Sequence, residues 1–135
     1  MAASESYPDD LRYHPEHDWA RVDGDEAVLG ITWFAQDALG ELVHFEAPEV
    51  GATLSKDASY AEVESVKAVS DVVSPLSGEV LEVNQKVVDE PETVNEDPYG
   101  DGWLVRLQPK NVAEVEELMD SDDYENLVGE LGGGE

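Results

Sequence analysis

The sequence contains no cysteine, and its 135 residues carry only 7 Lys+Arg against 33 Asp+Glu, a formal charge of −26. Without cysteine there is no disulfide to staple the fold and no thiolate nucleophile, so any thiol chemistry must arrive on an attached group. So few cations cannot neutralise a run of phosphates, which excludes a nucleic-acid binder. The same charge repels an anionic membrane surface, and no apolar stretch approaches the roughly 20 residues that cross a bilayer. Residues 1–7 lack the basic region and apolar run of a secretory signal, so the expectation is a soluble, cytoplasmic protein. Catalytic signatures are also missing: there is no Gly-x-Ser-x-Gly, no Walker loop and no Gly-x-Gly-x-x-Gly before a helix. The expectation is a chain that is not itself an enzyme.

What is present is a 41% hydrophobic chain, long enough for one domain with one core. Residues 1–10 and 131–135 are expected to be flexible ends around a single domain spanning 11–130. Between residues 11 and 107, short strand-like runs alternate with Gly, Pro, Asp and Asn, the pattern of a β sandwich or barrel. Asp23-Gly24-Asp25 predicts a hairpin turn between two strands. Thr32 is placed to cap a two-turn helix that Gly40 ends. Residues 42–46, 60–66, 68–73, 78–84 and 103–107 read as further strands, with Val80 and Leu81 breaking strict alternation and Asn84 ending its strand in a turn. Asp89 and Pro91 suggest a helical turn closed by Asp97-Pro98. Asn111 with Glu114 resembles a capping box, and Ser121 is the expected cap of a last helix whose inner stripe is Tyr124, Leu127 and Val128. Trp19, Trp33, Trp103 and Phe45 are expected to pack in the interior.

Two clusters bear chemistry. His14, Glu16, His17 and Asp18 are suitable metal ligands, but the spacing is a single His-x-x-His with no second cluster, and histidines in acidic loops are far more often solvated than ligated, so no metal is expected. Lys67 is one of four lysines and sits between two strand-like halves. By spacing it is a hairpin lysine kept in water; read more sharply, it is an attachment point whose acylation would remove its charge and extend a flexible arm. Such an arm would supply the missing thiols.

The quoted motifs resemble a known family, the H protein of the glycine cleavage system. Gly30-Ile31-Thr32 and Ala35-Gln36-Asp37-Ala38-Leu39-Gly40-Glu41 are similar to its segment after the first hairpin. Glu64-Ser65-Val66-Lys67-Ala68 with Ser70-Asp71 resembles its lipoylation motif, continued by Ser74-Pro75-Leu76-Ser77-Gly78-Glu79-Val80. Val94-Asn95-Glu96-Asp97-Pro98-Tyr99-Gly100-Asp101-Gly102-Trp103 resembles its late signature. The resemblance implies a mostly β barrel-sandwich hybrid of two antiparallel sheets with short peripheral and C-terminal helices, and (R)-lipoate in amide linkage to Lys67. It implies a carrier that takes an aminomethyl group from the P protein, yields it to the T protein and is reoxidised by the L protein, after modification by a lipoylating enzyme. A carrier that visits several enzymes is expected to be a monomer. Asp18 and Asp71 match positions that hold the arm's amine in a surface cleft, although the family usually has glutamate where Asp18 stands. Asp57 occupies a loop position where glycine is common, and aspartate tolerates that left-handed geometry.

Three alternatives remain at this point. Biotinyl domains usually flank the lysine with methionine, where this chain has Val66 and Ala68. Lipoyl domains of 2-oxoacid dehydrogenases usually place an acidic residue directly before the lysine. A relay protein that hands lipoyl groups to other carriers would use the same lysine. Glu62 and Glu64 read either as solvated strand carboxylates or as groups seen by the lipoylating enzyme.

The acidic residues are spread along the chain, so they describe a solvation property suited to a salty, halophilic setting. Salt screens such self-repulsion over a Debye length of about 8 Å at physiological ionic strength. The midpoint of thermal unfolding is expected to rise from low to molar salt; a flat response would count against a salt-adapted surface.

Overall fold

The computed structural model describes residues 7–131; of the expected flexible ends at 1–10 and 131–135, residues 1–6 and 132–135 lie outside the described residues, while Leu131 ends the last helix. Nine strands form two antiparallel sheets: β1 (Arg12–His14), β2 (Asp18–Asp23), β3 (Glu26–Ile31), β4 (Leu42–Glu46), β5 (Thr53–Leu54), β6 (Ser59–Ser65), β7 (Val69–Val73), β8 (Gly78–Val83) and β9 (Val105–Pro109). The six-stranded sheet runs β1-β2-β3-β9-β8-β5 and the three-stranded sheet β4-β6-β7. Among the described residues four α-helices, α1 (Trp33–Leu39), α2 (Gln85–Asp89), α3 (Thr93–Glu96) and α4 (Ser121–Leu131), lie outside the strands, with a 3-10 helix at Val112–Glu117. This is the mostly β, two-sheet architecture that the strand pattern predicts. No described helix is long and apolar enough to cross a membrane.

Local chemistry explains most boundaries. Asp23 pairs with Glu26, and Gly24 alone of the two loop residues has a positive φ of 65°, the pattern of a type II′ turn. Thr32 Oγ1 accepts from the Ala35 N–H at 3.2 Å, and Gly40, at φ 86°, ends α1. The register of β8 against β9 shifts between Val80 and Glu82, so Leu81 is the extra residue that broke the alternation.

Four local expectations change. Asn84 starts α2, its side chain accepting from the Lys86 N–H at 3.1 Å, where only a turn was expected. The helical turn near Pro91 begins later, at Thr93. Asn111 caps a 3-10 helix through the Ala113 N–H, but the Glu114 carboxylate does not return to it. It accepts instead from the Ser77 N–H at 2.8 Å and hydroxyl at 3.0 Å, a tertiary partner that a local capping box cannot foresee. Asp120, one residue before the expected Ser121, accepts from the Asp123 N–H at 2.9 Å and caps α4.

The main core joins both sheets through Leu29, Ile31, Phe45, Val63, Val72, Val80 and Leu107. A second cluster seats Leu11, Tyr13, Trp19, Tyr99 and Tyr124 under α4, with the Tyr13 and Tyr124 rings stacked at 4.7 Å. Of the aromatic residues expected inside, Trp19 and Phe45 are buried, while Trp33 and Trp103 pack half-buried on the second cluster. Tyr7 and Pro8 belong to it too: the Tyr7 ring meets Tyr124 edge-on at 5.2 Å, and the Tyr13 hydroxyl donates to the Pro8 carbonyl at 2.6 Å. Trp19 crosses Gly30, its partner on β3, and donates to the Pro98 carbonyl at 3.1 Å. A Cβ on Gly30 would sit 2.5 Å from Trp19 Cζ2. Gly30→Ala is therefore expected to displace the indole and cost about 1–3 kcal/mol, read as a lower thermal midpoint. An unchanged midpoint would mean that the indole is not held against β3.

Candidate functional site

Along β6, Ala61, Val63 and Ser65 face the interior, and Glu62 and Glu64 face solvent. The inward face ends at Ser65, where the chain reverses over Val66 and Lys67. Ser65 N–H donates to the Ala68 carbonyl at 2.7 Å, and its hydroxyl accepts from the N–H groups of Lys67 at 3.2 Å and Ala68 at 3.0 Å. Neither Val66 nor Lys67 has a positive φ. The serine side chain thus stabilises a reversal that two-residue hairpins usually make with Gly or Asn in primed turns. Val66 N–H donates to the Glu41 carbonyl at 3.1 Å, pinning the tip to the segment between α1 and β4.

Lys67 is exposed, and its side chain passes over Gly40, where a Cβ would lie 3.6 Å from Lys67 Cε. Lys56 is ion-paired with Asp57 and Glu117, and Lys86 with Asp101; Lys67 has no ion pair among the described residues. Its apolar neighbours Val66 and Val69 stand 69% and 62% exposed, so the lysine sits in a small apolar surround open to solvent. Beside it lies a groove of about 410 Å³ lined in part by Asp37, Gly40, Glu41 and Glu96. Asn95 fixes its floor, donating to Gln36 Oε1 and the Gly40 carbonyl at 2.9 Å each and accepting from the Leu42 N–H at 2.9 Å.

Asp71 is exposed on β7 directly opposite Glu62, so two carboxylates share one cross-strand position. Such a like-charge pair costs stability and favours a cation placed between them. It lies four residues from Lys67, about 13 Å along a strand. Asp18 is only 2% exposed, and its carboxyl accepts from the Val73 N–H, two residues beyond Asp71. Because β7 is an edge of its sheet, Asp18 supplies from the other sheet an acceptor that the edge lacks. Burial pushes the Asp18 carboxyl well above the usual carboxylate range, Glu16 adds to this, and the Val73 N–H opposes it. The two predicted carboxylates therefore meet along β7 in unlike settings, Asp71 in water and Asp18 inside.

The donors of the His14, Glu16, His17 and Asp18 cluster are turned to separate partners. His14 Nδ1 accepts from the Glu16 N–H at 3.0 Å, which leaves the proton on Nε2 to donate to Asp57 Oδ1 at 2.6 Å. Asp57 holds the left-handed backbone expected of it, at φ 74°. His17, at φ 77°, hydrogen-bonds the Tyr124 hydroxyl through Nδ1 at 2.8 Å, and that hydroxyl also meets Thr32 Oγ1 at 2.8 Å. Among the described residues no set of three such side chains could hold a metal ion. Sequence reasoning missed Tyr60, whose buried hydroxyl has no hydrogen-bond partner among the described residues, and the tie from Tyr124 to His17. No sequence signal marks the first; the second spans 107 positions.

Comparison with known proteins fits this arrangement. Residues 11–131 match the family model described as glycine cleavage H-protein. The glycine cleavage system H protein of Carboxydothermus hydrogenoformans is 50% identical over 125 residues, covering 93% of this chain and 96% of that protein. That of Symbiobacterium thermophilum is 49% identical over 123 residues, 91% of this chain and 96% of that protein. The crystal structure of a glycine cleavage system H protein from Mycobacterium marinum superposes with a TM-score of 0.85 at 43% identity, covering 91% of this chain and 99% of that one.

Asp18 yields a stability test. An acid whose folded pKa is raised above the ordinary 3.8 carries no ionisation cost at pH below that value, and a growing cost as pH rises through and beyond it. Asp18→Asn keeps an acceptor for Val73 and removes this cost. Its thermal midpoint is expected to match or exceed that of the unmodified chain at neutral pH, the difference vanishing near pH 4, whereas Asp18→Ala loses about 1–3 kcal/mol. An Asn variant less stable at neutral pH than at pH 4, relative to the parent, would contradict this account.

Proposed function

The chain belongs to the glycine cleavage H-protein family, and on that premise we propose that it carries (R)-lipoate in amide linkage to Lys67. The observation that supports this most is an exposed lysine without an ion pair, held in a turn locked by Ser65, inside Glu64-Ser65-Val66-Lys67-Ala68. These residues fit the group: acylation needs a reachable amine, and the exposed Val66 and Val69 suit an apolar arm. When bound, the arm supplies a disulfide that takes up the aminomethyl group of glycine from the P protein as carbon dioxide leaves, yields it to the T protein, and returns to the disulfide at the L protein.

The chain's own residues hold and shield. Ser65 fixes the direction in which Lys67 leaves the fold, and the bond from Val66 to Glu41 keeps the tip from swinging. Asp71 and Glu62 present negative charge to an ammonium along the outer face of the hairpin, and Asp18 waits behind the β7 edge as the interior carboxylate. Pairing there withholds the cargo amine from water. Asp18 is one methylene shorter than the glutamate usual in the family, and its closeness to the Val73 N–H on β7 supports giving it that role. The role is that of a non-catalytic carrier subunit, most simply a monomer meeting the P, T and L proteins and a lipoylating enzyme in turn.

Intact-mass measurement after expression with lipoic acid is expected to show one lipoyl increment that disappears in Lys67→Arg. The lipoylated chain should then support glycine decarboxylation by a cognate P protein. A lipoylated chain that fails to do so would overturn the carrier role and favour a relay that passes lipoyl groups to other carriers.

A further inference from the structure

Among the described residues, two buried side-chain polar atoms have no hydrogen-bond partner, Asp18 Oδ2 and the Tyr60 hydroxyl. The residues that carry them both neighbour Val73. On β6 and β7, Ser59 pairs with Val73 and Ala61 with Val72, so Tyr60 is the extra residue of a bulge opposite Val73. Bulges turn a side chain away from the direction that regular alternation gives it. Val73 is also the residue whose N–H binds the Asp18 carboxyl. Thus β2 and β6, from different sheets, each place beside Val73 a residue that carries a buried polar atom without a partner, an acceptor on Asp18 and a donor on Tyr60. An ionised carboxylate only accepts, and a phenol with its proton donates, so the pair is chemically matched.

We propose that Tyr60 is a positioning residue for the cargo amine, its hydroxyl donating to Asp18 Oδ2 when that carboxylate is charged against an ammonium at the β7 edge. This rests on the role given to Asp18 above and adds a residue to it. Burial, and then the Asp18 charge, push the Tyr60 phenol well above its usual range, so the hydroxyl keeps the proton it must donate. The other titratable groups that bear on Asp18 are Glu16 in the β1–β2 turn and Tyr124 from α4. Of these, the Tyr124 hydroxyl is committed to His17 and Thr32. Among the tyrosines that bear on Asp18, Tyr60 is the one whose hydroxyl is uncommitted.

Tyr60→Phe removes a partnerless buried hydroxyl and keeps the ring, so the fold and the thermal midpoint are retained. In the full chain without the arm, the Asp18 carboxyl carbon resonance is followed through a pH titration. Loss of the donor is expected to raise its midpoint by about half a unit to one unit. On the lipoylated chain loaded with the aminomethyl group, Tyr60→Phe is expected to shorten the half-life of the cargo about two- to tenfold. It should add nothing in an Asp18→Asn background, because it acts only through that carboxylate. An Asp18 midpoint unmoved by Tyr60→Phe overturns the proposal even if Asp18→Asn shortens the half-life. Additive effects in the double variant overturn it as well, since they mean simple packing. If Asp18→Asn leaves the half-life unchanged, the role of Asp18 falls and the proposal with it.

Discussion

Ala61, Val63 and Ser65 turn inward from β6, and Val72 from β7, because only one face of that hairpin has a core to reach. Strand side chains repeat every two residues, so this one-sided burial sends Glu62, Glu64 and Asp71 to water, and a slip of one residue would bring charges inside. Ser65 is the last inward residue. Lys67, two positions on, therefore lies past the end of the core on a turn that the serine hydroxyl stabilises. At the hairpin's other end the bulge at Tyr60 suspends the alternation, and the Tyr60 hydroxyl is buried there without a partner. The position of the lysine and that of the buried polar pair both follow from which face of one hairpin is covered.

Electrostatics divides along the same line. The carboxylates that give the chain its charge of −26 are largely solvated, and the cations Lys56, Lys86 and Arg106 are spent in exposed ion pairs of small energetic value. Asp18 is the exception, taken into the interior by its place at the start of β2, against Ile31 of β3 and His14 of β1. Its charge is disfavoured until a cation or donor compensates for lost hydration. In the role proposed for it, such a carboxylate is costly to ionise alone and favourable to ionise beside the cargo amine.

The scaffold behind the hairpin explains several of the quoted motifs. In the stretch from Val94 to Trp103, Asn95 ties α1 to β4, and a Cβ on Gly102 would lie 2.6 Å from the Asp97 carbonyl oxygen. Gly100 is equally confined by the Asp97 side chain, which accepts from the Asp101 N–H at 3.0 Å. That loop supplies the carbonyl of Pro98 to Trp19 and that of Tyr99 to Arg21, so the late segment braces the first hairpin. Asn95 in this stretch also holds Gly40 beneath the Lys67 side chain.

Where local physics decides, the sequence was sufficient. Alternation marked β6, β7 and β8, even to the irregularity at Leu81; Thr32 and Gly40 bounded α1; Asp23-Gly24 turned the first hairpin; and Lys67 emerged as the accessible lysine between strands. These features depend on neighbours a few positions away, through side-chain period, cap hydrogen bonds and glycine backbone freedom. The tertiary structure decided the rest. Periodicity tells which face of a strand is covered and not what covers it, so the burial of Asp18 and its bond to Val73 could not be read from the chain. The same holds for the burial of the Tyr60 hydroxyl without a partner, for Glu114 turning from Asn111 to Ser77, and for the bond of Tyr124 to His17 across 107 positions. Each of these depends on how two sheets and a terminal helix come together, and only packing of the whole chain fixes which polar groups then face one another without water.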